Sequence, residues 1–577
     1  MAENTVTSLS SSLFYQPAIT FTGLGSGIDS QTMIQKLVEV ESRQLRRFTA
    51  WKEEWLAKIQ ALTTLQDKLR EFRRVAAAMD SPGEFRVRLV SVSDPGVLSA
   101  TAAPGAPPGT HQILVNRLAR NDIEVHGGLP APDTVVNASG TPKVLALRYG
   151  SASFTVSVPA GATLTDLAAL INTSGANPGV SALVLDLGPA AGDSRYRLML
   201  QGKDTGAAAT LTVDDALTTL DGTDGTLDFG AAAFTETQSA ADAQLRLNGY
   251  PPEGWIERGA NLITDVLPGV SLSLTAASPT PVTVSVAPDT RAMQEKIVSL
   301  VEKYNEVLAH IRDLTRYDPV SKKGGLLLGN YVVQMVKSGL TGVATGTAPG
   351  FASPGDPYLS LAQIGITTDA DPASPTFGQL VIDERKLTGA LRERPEAVGE
   401  LFGAALSGVS DDPGGTISYL SALPEITRPG IYEVRATVSG GVLTGGTING
   451  HPATVSGDTL TGAAGYPEYG LAVRVALTEG SHTATVRLKS GVARTLTDKL
   501  DELLSLASGP VNILIKNYQD IIRGIDGKIE LETRRLEAYR QRLTEQFARL
   551  ESVLGQLNDQ ANYLAGQIAK LNQGTRS

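Results

Sequence analysis

Between residues 515 and 571 every seventh position is isoleucine or leucine: Ile515, Ile522, Ile529, Leu536, Leu543, Leu550, Leu557, Leu564 and Leu571. Phe547, Leu554, Ala561 and Ile568 add a second column in the last third, and Arg, Glu, Gln, Asn and Asp are frequent between the columns. Such a pattern is a heptad seam, and a strict seven-residue repeat winds helices into a left-handed supercoil. At 1.5 Å per residue the stretch spans roughly 85 Å. A globular domain of ordinary size cannot enclose a rod of that length. The seam needs a partner helix, from this chain or from copies of it.

The opposite end of the chain supplies a candidate. A helix is predicted from Ser30 to Met79, a stretch without proline, with Asp29 as its N-cap. Its apolar face includes Ile34, Val38, Leu45, Phe48, Trp55, Ile59, Leu62, Leu69 and Phe72, with Glu41 and Lys52 as weak places. The cations Arg43, Arg46, Arg47, Lys58, Arg73 and Arg74 read as a solvated outer face. Just upstream, Gly23-Leu24-Gly25-Ser26-Gly27-Ile28-Asp29 invites comparison with a phosphate loop. The spacing rejects it. Ile28 stands where G-x-G-x-x-G needs its third glycine, and no Gly-Lys-Ser/Thr follows. Gly23, Gly25 and Gly27 instead permit a tight bend before the helix. Residues 1–18, rich in Ser and Thr, read as disordered until bound.

Between the helical ends the period falls to two. Strands are expected at Phe85–Val92, His111–Leu118, Val144–Tyr149, Ser151–Val158, Ser181–Leu187 and Arg195–Leu200, with a short helix at Leu164–Ile171. Asn248-Gly249 and Asn449-Gly450 each mark a type I′ hairpin, because both central residues need positive φ. Downstream of each, two strands are expected to pair: Val270–Thr275 with Val282–Val286, and Leu471–Leu477 with Thr483–Leu488. Residues 416–492 therefore read as an extra β-domain. A helical period returns at Asp289 with Met293, Ile297, Leu300, Tyr304, Leu308, Ile311 and Leu314 on one face. Residues 326–340 and 387–402 read as further helices, and Ile364-Gly365-Ile366 as a strand.

Chemistry finds little foothold. The chain has no cysteine, which removes disulfides, thiolate catalysis and Cys-held metal. None of its five histidines lies three to five residues from another, so metal-ligand spacing is absent. Adjacent carboxylates such as Asp214-Asp215 and Asp411-Asp412 read as solvated loops. Net charge is −10 with no basic stripe, which argues against nucleic acid. No apolar run approaches 18 residues, so no membrane insertion is expected. No catalytic residue, cofactor or metal is expected.

Several passages carry a family likeness. Gly23–Asp29 opens the N-terminal helix; Leu245-Arg246-Leu247-Asn248-Gly249 is followed by Asn261–Leu272. Leu361–Ile366 precedes Gly378-Gln379-Leu380 and Leu401-Phe402-Gly403, and Gln546–Glu551 leads to Leu557-Asn558-Asp559-Gln560. In this order they resemble the flagellar hook-associated protein 2 family, the caps of bacterial flagellar filaments. The likeness implies an α+β multidomain fold, with long terminal helices forming a coiled-coil leg and helical body and with inserted antiparallel β-rich head domains. It divides the chain into a leg (1–45 and 531–577), a body (46–105, 289–410 and 493–530), a head (106–288) and an insert (411–492). It implies a secreted homo-oligomeric ring of about five copies, with tetramer or hexamer as alternatives, at the distal tip of the flagellum. Such a ring promotes polymerisation of exported flagellin and stops its leakage. The implied partners are flagellin, an export chaperone of the type III route and the hook-associated junction proteins. The leg contacts expected from the two seams are Ile34, Val38, Leu45, Phe48, Leu543, Phe547, Leu550, Leu554, Leu557, Leu564, Ile568 and Leu571. Rival readings are a surface adhesin whose β-domains bind mucin or glycans, and another component of the hook–filament junction.

Overall fold

The computed structural model describes residues 29–574 apart from 319–321 and 373, with side chains followed along the last helix as far as Ile568. Gly23, Gly25 and Gly27 lie outside the described residues.

The predicted N-terminal helix is two consecutive pieces, α1 (Ser30–Glu41) and α2 (Arg43–Ala77). The break falls at Ser42, whose Oγ donates to the Glu39 carbonyl at 2.7 Å. A serine hydroxyl that bonds back to the preceding turn competes with the backbone ladder. Asp29 caps α1 as expected, accepting from the Thr32 amide at 3.0 Å. The Thr32 hydroxyl and amide hold the Asp29 carboxyl below its usual range. The one-turn helix α3 (Pro82–Phe85) then leads into the head.

The body is built from segments far apart in sequence. The C-terminal half of α2 packs against α5 (Thr290–Thr315) and α9 (Val492–Leu504), and α6 (Tyr331–Thr345), α7 (Glu384–Glu393) and α8 (Pro395–Gly403) pack on α5 and α9 around the same core; α4 (Leu164–Thr173) belongs to the head. Leu62, Leu65, Leu69 and Phe72 meet Met293, Ile297 and Tyr304, Val336 and Leu340, and Leu496 and Leu500 in one apolar core. The helix expected over 387–402 is split at Pro395, which lacks the amide to continue α7 but suits the first turn of α8. Leu361–Ile364 is a 3-10 turn, not a strand. Gly365 closes it at φ +91°, and the strand begins only at Ile366.

The head has two cores. In the inner one a five-stranded sheet, ordered Arg88–Val92, Val282–Pro288, Gly109–Arg117, Ala243–Leu247 and Ile256–Arg258, faces a three-stranded sheet. That second sheet joins Leu262–Leu267, Val270–Leu274 and Leu98–Ala102. The expected pairing of 270–275 with 282–286 is therefore wrong. The two strands are assigned to different sheets and find partners between 168 and 200 residues upstream. The outer core lies among α4, a four-stranded sheet and a three-stranded sheet, and includes Leu145, Leu167, Leu198 and Phe229.

Residues 405–490 form an eight-stranded antiparallel sheet whose two end strands, Ala405–Asp411 and Ile417–Ser421, follow each other in sequence. Ser410 Oγ donates to the Ile417 carbonyl at 2.6 Å across the seam. The sheet is thus curled almost into a barrel around Val434, Ile448, Leu460 and Val486. Both Asn-Gly turns have positive φ at each central residue, as predicted. The expected partnership of 471–477 with 483–488 fails. Ala472–Val475 pairs with Thr459–Gly462 and Ile417–Ser421, and Gly480–Ser490 pairs with Ala405–Asp411 and Gly430–Ser439. Arg487 and Lys489 of the last strand reach back to Asp356 and Glu400 of the body, forming a buried ionic fastening.

Candidate functional site

The helix α10 (Pro510–Gly574) is the rod that the heptads predict. Pro510 starts it, where a missing amide costs nothing. It lines the body core from Val511 to Tyr518 and runs antiparallel to α2 and then α1. The contacts fix the register. Gln66 Nε2 donates to Asn512 Oδ1 at 2.6 Å, and Trp55 meets Tyr518 edge-on at 4.8 Å between ring centroids. Lys52 pairs with Asp526 at 2.7 Å and Arg535 with Glu41 at 2.8 Å. Finally Ser30 Oγ donates to Glu551 Oε1 at 2.5 Å. As one residue number falls the other rises in step.

Lys52 and Glu41, the two interruptions in the apolar face, thus find partners across the leg. Glu532 is buried in the seam and holds Arg535 at 2.9 Å. Hydrogen bonds from Glu532 and then Glu41 raise the Arg535 guanidinium further above its already high range.

Along this pairing the heptad column is covered as far as Leu543 and exposed from Leu550 to Leu564. Ile522, Ile525, Leu536 and Leu543 are buried, and so is Ile34 on α1. Val38, Leu45, Phe48, Phe547 and Leu554 are half-buried. Past Glu551 no described residue of α1 lies opposite. Leu550, Leu557, Leu564 and Ile568 are 48%, 54%, 59% and 58% exposed, as are Val553 and Tyr563 in the same stretch. The side chain of Leu571 lies outside the description. Leucines of one column are thus core in the upper leg and surface in the lower leg.

No group of three or more His, Asp or Glu among the described residues could hold a metal ion, and no described helix is long and apolar enough to cross a membrane. The features that stand out are a two-helix leg with a bare apolar end, a helical body, and β-domains held out from it. They define a class: a multidomain structural subunit that carries a long helix with a bare apolar end.

Comparison with known proteins narrows the class. The family described as flagellar hook-associated protein 2 C-terminus matches residues 240–559, and the corresponding N-terminus matches 26–122. Between them residues 144–204 match the flagellin hook IN motif. The chain belongs to the flagellar hook-associated protein 2 family, and it is a structural protein, not an enzyme. It is 27% identical over 406 residues to the A-type flagellar hook-associated protein 2 of Pseudomonas aeruginosa, covering 66% of this chain and 80% of that protein. It is 28% identical over 397 residues to flagellar hook-associated protein 2 of Escherichia coli K12, covering 67% and 80%. The crystal structure of three domains of the flagellar cap protein from Escherichia coli shares the fold, with a TM-score of 0.53 at 22% identity over 80% of this chain and 99% of that one.

Proposed function

We propose that this chain is the subunit of a ring seated on the distal end of the flagellar filament. Its function is that of a structural cap outside the cell, which promotes polymerisation of flagellin. The observation that carries the mechanism is the bare end of α10. Leu550, Leu557, Leu564 and Ile568 form a stripe that the described part of the chain leaves uncovered. Burying a side chain of this size contributes about 1.5–3 kcal/mol before ordering entropy is subtracted. Four of them make docking the stable state of the leg.

Labour is divided along the chain. Residues 1–45 and 531–577 are the leg, which contacts flagellin, sister subunits and the junction proteins. Body and head form the plate that closes the channel and retains emerging flagellin. Where the rotational order of the ring differs from that of the filament, the legs cannot all dock equivalently, and one site stays open for the next subunit. Passage between near-equivalent docked states needs no nucleotide. The test is a chain carrying Leu550→Asp and Leu557→Asp, with filament length and flagellin in the medium as readouts. Short or missing filaments with leaked flagellin are expected; normal filaments and a clean medium refute the leg mechanism.

A further inference from the structure

The leg has a second open surface, on its side and not at its end. Met33, Leu37 and Val40 of α1 are 41%, 42% and 56% exposed. Each stands one position before an inward residue: Ile34, Val38 and Glu41. One position is about 100° around a helix, so these three form a flank beside the interhelical seam. At the same spacing of threes and fours the flank continues through Gln44 and Arg47 to Trp51, which is 40% exposed.

On α10 the positions one before the inward Ile529, Glu532, Leu536 and Leu543 are Lys528, Leu531, Arg535 and Arg542. In an antiparallel pair these two flanks fall on the same side. Lys528 Nζ over the Trp51 ring, 5.3 Å from its centroid, confirms this. With Arg549 the second flank carries a cation every seven residues, at 528, 535, 542 and 549, about 10.5 Å apart. Leu531 stands between two of them, 66% exposed. Arg535 is engaged with Glu41 and Glu532. Among the described residues Arg542 and Arg549 form no ion pair, and neither do Arg47 on the ridge and Lys36 and Arg43 at its outer border. Arg43 and Arg47 belong to the set that sequence alone reads as merely solvated.

One side of the leg is thus an apolar ridge beside a ladder of cations. We propose that the groove between α1–α2 and α10 receives a single amphipathic helix of another protein, with an apolar stripe bordered by Asp and Glu, completing a three-helix bundle. A knob-forming stripe satisfies Met33, Leu37, Val40 and Leu531, and the bordering carboxylates meet Arg47, Arg542 and Arg549. A second copy of this leg is a poor occupant. Its acidic side has Glu39, Glu53, Glu530 and Glu537, but it offers Gln35, Ser42 and Thr49 where the ridge needs apolar atoms. The proposal rests on the leg being a docking element, and it uses a different face from the bare end of α10.

The test uses the full chain and two synthetic helical peptides of about three heptads, with Leu along one stripe and either Glu or Lys at the flanking positions. Fluorescence anisotropy at low salt is expected to show the Glu peptide binding at least about tenfold more tightly than the Lys peptide, the scale set by three or four exposed charge pairs. The gap should narrow as salt rises. Leu37→Glu with Val40→Glu should abolish binding, and Arg542→Glu with Arg549→Glu should remove the preference. All four positions are on the surface of a helix, and circular dichroism checks that each variant stays helical. Equal affinity for the two peptides, no binding of either, or unchanged binding by the variants overturns the proposal. So does a Glu peptide that fails to bind while Arg542→Glu with Arg549→Glu changes the sedimentation of the protein, since that assigns the groove to sister copies. The Leu550→Asp and Leu557→Asp chain should keep full peptide affinity, so normal filaments from that chain would refute the end-docking mechanism without touching this result.

Discussion

Replacing Asp356 by Asn tests what holds the barrel-like insert to the body. The Asp356 side chain is 1% exposed, and those of Arg487 and Lys489 are 4% and 5% exposed. Asp356 takes both cations and also accepts from the Ala352 amide at 2.9 Å. Removing one partner of a buried ionic group costs about 3–5 kcal/mol, because the surviving charge is left without compensation. Two features place this case at the lower end. Arg487 keeps Asp411 at 2.6 Å, and Lys489 keeps Glu400 at 3.0 Å, both carboxylates being partly solvated. A loss of about 3 kcal/mol from a unit of this size lowers its melting temperature by about 15 °C. Calorimetry of the full chain, with limited proteolysis at the 412–416 and 476–479 loops to assign the transition, measures it. The chain holds several cores, so the transition of the insert must be followed separately from the rest. A second variant separates charge from shape: Asp356→Leu with Arg487→Met and Lys489→Met removes all three buried charges and should recover most of the loss. A shift below about 3 °C for Asp356→Asn, or a triple variant no better than the single one, refutes the reasoning.

Two further outcomes follow from the head and the leg. Burial first, and then Asp122 and Glu236, push the Glu124 carboxyl up to about 7, and Glu236 faces it directly across the strand pair. Because the folded value lies above the unfolded one, the head is most stable below about pH 4.5 as far as this group is concerned, and loses that stability as pH rises to about 7. Melts at pH 5 and pH 8 should differ by less in Glu124→Gln than in the natural chain, and an unchanged difference would remove Glu124 as the cause. At the root of the leg, where α10 pairs with α2, Ile525 is 1% exposed, so Ile525→Ala should cost about 2–5 kcal/mol locally. Hydrogen exchange should then quicken across residues 43–55 and 518–536 while the body core keeps its protection; uniform exchange throughout would contradict a separable leg.

Some of this architecture is legible residue by residue. The cap at Asp29 and the two Asn-Gly turns are local, and each is set by side-chain or backbone geometry within four residues. Helix α5 is legible because one clean apolar face packs on a single side. Strand partners are not. Val270–Leu274 and Val282–Pro288 are both alternating strands close in sequence, and either could in principle bond to the other. Their choice of Leu98–Ala102 and Gly109–Arg117 is set by which faces close the inner core of the head. Alternation says that a strand has a buried face, not which strand lies beside it. The ionic fastening at Asp356 was equally hidden, because its members are brought together from three distant segments.

The heptads by themselves determined that the chain ends in a long rod with an apolar column. The same letters, Leu543 and Leu557, stand fourteen residues apart in that column. Only the tertiary structure decided that the first is core and the second is surface. The reason is the register: α1 begins at Ser30, opposite Glu551, so its side chains dehydrate the column above that point, and no described residue of α1 does so below it.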